Sequence, residues 1–67
     1  MGNTLRDVRM EGNLTQKELA RNVGVTQRAI SYYESGIRKP SPDVANRIAA
    51  LLSLSIEEVW NMFYKAS

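Results

Sequence analysis

The chain has 67 residues, contains no cysteine and no histidine, and carries a formal net charge of +2. Disulfides are excluded and only carboxylates remain to bind a transition metal, so we predict no metal site and no cofactor. No apolar run approaches the roughly 20 residues of a membrane span, and the N-terminal stretch MGNTLRDVRM has no hydrophobic signal segment, so we expect a cytoplasmic protein without a membrane partner.

The first predicted helix lies near the N-terminus. Asn3 can cap a helix that begins at the next residue, because its side chain can accept a hydrogen bond from a free backbone N–H group. Leu5 and Val8 recur at helical spacing and should face the interior. We expect the helix to end at Gly12 and Asn13, since both residues tolerate the left-handed conformation of a C-terminal cap.

Two short helices joined by a tight turn are predicted next. Thr15 and Glu18 have the spacing of a capping box, which places the start of helix 2 at residue 16. Gly24 should end this helix after residue 23 as a left-handed cap, and Thr26 should cap the following helix. This arrangement matches a helix-turn-helix over about residues 16–34.

The third helix, over residues 27–34, is predicted to have two chemically different sides. Ala29, Ile30 and Tyr33 share the inner side at 100° per residue. The outer side carries polar and planar side chains: Gln27, Arg28, Ser31 and Tyr32.

Positive charge is concentrated in this part of the chain. Residues 15–39 contain five basic and two acidic side chains, a net charge of +3, so the remaining residues together carry −1. The basic loop after helix 3 contributes Arg38 and Lys39, and Ile37 beside it should be a small apolar anchor. Such a distribution fits a surface that binds phosphates, although ordinary solvated charges would give the same count.

Two further helices complete the predicted fold. Ser41 caps helix 4 with Pro42 at its first position, and Ser55 with Glu58 forms a second capping box for helix 5. The expected apolar face of helix 4 is Val44, Ala45, Ile48, Ala49, Leu51 and Leu52. The expected stripe of helix 5 is Ile56, Val59, Trp60 and Phe63, flanked by Met62 and Tyr64. We find no strand alternation, repeat or linker and predict an all-α, compact five-helix bundle occupying residues 1–67 as one domain.

The chain resembles the Cro/C1-type, or XRE-type, helix-turn-helix domains of phage repressors and bacterial transcriptional regulators. The resemblance is carried by Leu14-Thr15-Gln16, Leu19-Ala20, Gly24-Val25-Thr26, Ile30-Ser31, Glu34-Ser35-Gly36, Pro40, Ile48-Ala49 and the segment from Leu52 to Ile56. It implies a lambda-repressor-like DNA-binding domain, encoded by a bacterium or phage, whose third helix enters the major groove.

The resemblance also implies roles for individual residues. Gln16 matches a phosphate-binding glutamine at the start of helix 2, and Glu34 matches a buried acid that pairs with an arginine of helix 1, here Arg9. Positions that face bases are matched by Gln27, Arg28, Ser31 and Tyr32. Two residues depart from the family pattern: Ser53 stands where glycine is usual, which should strain that turn, and Tyr32 stands where a polar or basic side chain is common.

The side chains suit this chemistry. The amide of Gln27 can pair with N6 and N7 of adenine, and the guanidinium of Arg28 can bind guanine O6 and N7 or a phosphate. The predicted phosphate contacts are Gln16, Lys17, Thr26, Arg38 and Lys39.

Trp60, Met62, Phe63 and Tyr64 should close the core, and part of this set is a possible homodimer patch for binding a pseudo-palindromic operator. We therefore predict a sequence-specific DNA-binding regulator, in the first place a repressor. The alternative is a protein-interaction module, antitoxin- or anti-repressor-like, that uses the apolar face of helix 5. Without the usual catalytic bases and nucleophiles or a phosphate loop we expect no enzyme, and without a ligand domain no small-molecule ligand.

Overall fold

The computed structural model describes residues 4–64, and over this part of the chain it is helical with no strand. Five helices follow one another: α1 (Leu5–Glu11), α2 (Gln16–Val23), α3 (Gln27–Ser35), α4 (Pro42–Leu52) and α5 (Ile56–Phe63). The predicted all-α class and helix order are confirmed, with α3 one residue longer than predicted. None of these helices is both long and apolar enough to cross a bilayer.

A hydroxyl side chain caps the start of every helix described. Thr4, Thr15, Thr26, Ser41 and Ser55 each accept a hydrogen bond from the backbone N–H three residues later. The prediction that helix 1 begins at Thr4 is wrong, because Thr4 is itself the cap; Asn3 lies outside the described residues. Capping also has an electrostatic consequence, because it lowers the pKa of the Glu18 carboxyl. The largest cause is the hydrogen bond that the backbone N–H of Thr15 donates to this carboxyl, and the hydrogen bond with the Thr15 side chain is the next.

Left-handed residues end the middle three helices. Gly24 and Gly36 have φ of 85° and 79°, and Ser53 ends α4 with φ of 57°. A serine in the left-handed region is destabilised by about 1–2 kcal/mol through steric strain, and this is the strain predicted for Ser53 where the family usually has glycine. After α1 it is Asn13, at φ 59°, that turns left-handed, whereas the predicted cap Gly12 has a negative φ.

The core forms where α2 packs on α3 and α4, α4 packs on α5, and α1 closes against α3. It consists of Leu5, Leu19, Ala20, Val23, Ile30, Ala45, Ile48, Ala49, Val59 and Phe63. The side of α3 opposite its polar face is therefore anchored, because Ile30 is completely buried.

Several apolar residues predicted to be buried are exposed. Ile37 is 67% exposed and is no anchor, because the loop after α3 places it on the surface. Leu51, Ile56 and Trp60 lie at the edges of their apolar stripes, and within residues 4–64 no neighbouring element covers those edges completely. A domain this small has too few elements to cover faces this wide.

Candidate nucleic-acid interface

The outer face of α3 is open in the structure. Gln27 and Arg28 are exposed, Ser31 and Tyr32 are half-buried, and Ile30 is buried beneath them. The predicted exposure of Gln27 and Arg28 and the predicted burial of Ile30 are therefore confirmed, whereas Ala29 and Tyr33, predicted on the inner side, are only half-buried. This geometry presents an amide and a guanidinium on the first turn of a helix whose opposite side is held by the core.

An ion pair ties α1 to α3 directly behind this face. Nε of Arg9 donates to Oε2 of Glu34 at 2.6 Å, and Nη1 of Arg9 donates to the backbone oxygen of Leu14 at 2.7 Å. Only 12% of the Arg9 side chain and 6% of the Glu34 side chain are exposed. The pair is shielded from water, and its partners fix the relative position of α1, the start of α2, and α3.

Gln16 joins the same network. Its Nε2 donates to Oε1 of Glu34 at 3.0 Å, so the amide is held before any ligand arrives. Beside it lies a hollow of about 340 Å³ lined by Arg6, Arg9, Gln16, Ser31, Glu34 and Ser35. Arg6 is a cation that no sequence motif marks for this site; its position one helical turn before Arg9 is the signal that could have indicated it.

A second hollow of similar volume lies on the other flank of α3. Its lining residues are Thr26, Arg28, Ala29, Tyr32, Tyr33 and Arg38. The hydroxyl of Thr26 accepts the N–H of Ala29 at 3.1 Å, and the guanidinium of Arg38 lies 5.7 Å from the centre of the Tyr32 ring. Lys17 and Lys39 are exposed and line neither hollow.

The set predicted as a possible dimer patch is divided by the structure. Phe63 belongs to the core, packed edge-on against Tyr33, and so is not available as a surface residue. Met62 is half-buried. Trp60 is 40% exposed, with its ring centre 4.3 Å from that of Tyr64. The Tyr64 hydroxyl donates to the backbone oxygen of Pro40. Burial raises the pKa of Tyr64, and electrostatic repulsion from Tyr33 raises it further.

A hollow of about 510 Å³ lies away from α3, between α1 and the α4–α5 corner. Its lining residues are Val8, Glu11, Leu52, Leu54, Glu58, Asn61 and Met62. Both charged side chains in this lining are acidic, which disfavours a nucleic-acid backbone here. The cationic and amide side chains that suit nucleic acid are instead gathered around α3.

Arg47 has a structural position that was not foreseen. In the structure its Nη1 donates to the backbone oxygen of Val23 at 3.4 Å. It thereby supports the last turn of α2, next to the turn that leads into α3.

Comparison with known proteins shows the family of this chain. The family model described as Helix-turn-helix matches residues 5–59, which is most of the chain. The chain belongs to the helix-turn-helix family. Members of this family are DNA-binding transcriptional regulators that are typically not enzymes.

Similar proteins occur in archaea and bacteria. An uncharacterized HTH-type transcriptional regulator of Methanothermobacter thermautotrophicus is 43% identical over 61 residues, covering 90% of this chain and 88% of the relative. One from Archaeoglobus fulgidus is 35% identical over 60 residues, covering 90% and 84%. The cryptic phage CTXphi transcriptional repressor RstR of Vibrio cholerae is 31% identical over 55 residues, covering 82% of this chain and 50% of RstR. No solved structure matches the chain.

Proposed function

We propose that this protein represses transcription by binding a specific double-stranded DNA sequence, with α3 inserted in the major groove. The observation that supports this best is the open polar face of α3, on which Gln27 and Arg28 are exposed above a fully buried Ile30. The major groove is wide enough for one helix, and each base pair presents a distinct edge there. Similarity to the repressor RstR supports repression as the regulatory outcome.

Base recognition is assigned to the first turn of α3. Gln27 would pair with adenine and Arg28 with guanine, and each bidentate contact discriminates by about 1–3 kcal/mol against a wrong base. Ser31 lies one turn further along and is half-buried, so its short hydroxyl would contact only a base edge that comes close.

Phosphate contacts are assigned to the two flanks of α3. On one flank Gln16 is held by Glu34 and shares its hollow with Arg6. On the other flank Thr26 and Arg38 share a hollow. Lys17 and Lys39 add exposed charge near these flanks. Contacts of this kind set the position of the protein on the duplex without reading sequence.

A homodimer would bring two such faces to one operator. Ile56 and Trp60 on α5 and Tyr64 at its C-terminal cap follow one another at four-residue spacing, and the first two are exposed. An apolar stripe of this kind can pair with its copy across a two-fold axis. The two copies of α3 would then read half-sites about 34 Å apart on a pseudo-palindrome.

The experiment is selection of bound duplexes from a random pool, followed by titration of the selected sequence. We expect one preferred sequence, bound at least about 10³-fold more tightly than random DNA. Gln27→Ala and Arg28→Ala should relax the preference while the fold stays intact by circular dichroism. Asn46→Ala, an exposed amide on α4, is the matched control and should change nothing. Affinity for all DNA without preference would refute the proposal and favour the protein-interaction module.

A further inference from the structure

The backbone of Tyr32 is hydrogen-bonded to the loop that follows α3. Its backbone oxygen accepts the N–H of Ile37 at 3.0 Å and that of Arg38 at 3.4 Å. The left-handed Gly36 makes this reversal possible. The chain therefore folds back over the last turn of α3, and the start of the Arg38 side chain is fixed relative to the Tyr32 ring.

The two side chains also meet. The Arg38 guanidinium lies 5.7 Å from the centre of the Tyr32 ring, within the roughly 6 Å at which a cation is attracted to an aromatic face. Within residues 4–64 Arg38 takes part in no salt bridge, so no carboxylate competes for its N–H groups. A cation–π contact uses none of the N–H groups in a hydrogen bond to an acceptor, so the donors of the guanidinium stay available to a phosphate.

We propose that Tyr32 is a positioning residue that holds Arg38 on the flank of α3 for a DNA phosphate, and that it does not read a base. The half-buried ring restricts the rotamers of a long side chain, so less freedom is lost when Arg38 meets the phosphate. This inference rests on the proposed function, because it assigns a role within the same DNA-binding face.

The test uses the salt dependence of binding, because each phosphate contact adds about 0.9 to the slope of log affinity against log salt. Tyr32→Ala and Arg38→Ala should each lower the slope by about 0.9, and the double variant should lower it by no more than either alone. Between 50 and 200 mM salt, each variant should then lose about 3.5-fold less affinity than the unaltered protein. Tyr32→Phe, which keeps the ring, should keep the full slope.

Lys39→Ala provides the matched control. Lys39 is a cation of the same loop that does not contact the Tyr32 ring, so its effect on the slope should add to that of Tyr32→Ala. Thermal unfolding of each variant separates loss of fold from loss of the contact. The sequence preference of Tyr32→Ala should remain that of the unaltered protein.

Two binding results would overturn the inference. A changed base preference with an unchanged slope would make Tyr32 a base reader, and additive slopes for Tyr32→Ala and Arg38→Ala would make the two side chains independent. A separate measurement without DNA distinguishes this inference from the proposed function. The ring of Tyr32 should shift the NMR signals of the Arg38 side chain, and Tyr32→Ala should remove that shift. If the shift is present but no specific DNA is bound, the proposed function has failed; if it is absent, the pairing itself is refuted.

Discussion

Replacing Glu34 by alanine tests the network behind the recognition face. The substitution leaves the Arg9 guanidinium, with a side chain 12% exposed, without its carboxylate partner. Removing one partner of a buried ion pair costs about 3–5 kcal/mol. Arg9 keeps its bond to the backbone oxygen of Leu14, so we expect a cost near the lower limit, about 3 kcal/mol.

This cost is large for so short a chain. Domains have about 0.05–0.15 kcal/mol of stability per residue, so a loss of about 3 kcal/mol removes about 30% or more of the total. At about 4–8 °C per kcal/mol for a domain of this size, the melting temperature should fall by about 12–24 °C. The measurement is urea and thermal unfolding followed by circular dichroism.

A double-mutant cycle shows whether the unpaired charge is the cause. Arg9→Ala with Glu34→Ala should be less destabilising than the sum of the single variants, since the double variant leaves no buried charge behind. Glu57→Ala, at an exposed acid of α5, should stay within about 0.5 kcal/mol of the unaltered protein. Unchanged stability of Glu34→Ala, or strict additivity in the cycle, would refute the reasoning. DNA binding should weaken only indirectly, through unfolding and the released Gln16 amide.

Three further predictions address the turn after α4, the hydroxyl of Tyr64 and self-association through Trp60. Ser53→Gly relieves a left-handed serine and should raise stability by about 0.5–1 kcal/mol, measured by urea unfolding; a lower midpoint would contradict the assigned strain. The pKa of Tyr64 is raised above its ordinary value of 10.0, so the folded state favours the neutral hydroxyl. The resulting contribution to the free energy of unfolding is fully present below pH 10 and is lost as the pH rises above 10. Tyr64→Phe should therefore reduce the loss of stability above pH 10 in alkaline melting curves, while costing about 1 kcal/mol at pH 7 through the lost bond to Pro40. Trp60→Glu should weaken self-association in sedimentation equilibrium and should also lower the melting temperature, because it removes the ring that packs beside Tyr64; a parent protein that stays monomeric at high micromolar concentration would count against the dimer.

The local features of the fold could be predicted from the sequence because they depend on neighbours along the chain. Thr15 with Glu18, and Ser55 with Glu58, satisfy backbone groups three residues away, and Gly24 can turn left-handed without steric cost. The two sides of α3 follow from the helical repeat, which places Ile30 opposite Arg28 wherever the helix is packed. These features and the resemblance were sufficient to predict the helix order and the exposure of Gln27 and Arg28, whereas Arg6 beside the same face was not predicted.

Tertiary structure decided which side chains meet and which apolar edges are covered. The helical repeat gives the direction of Trp60 and Leu51 but not how far a neighbouring element covers them, and among residues 4–64 both stay partly exposed. The bond from Gln16 to Glu34 joins residues 18 positions apart, and Arg47 supports Val23 from 24 positions away. Contacts at such separations depend on the angles at which the helices pack, which no local pattern of residues determines.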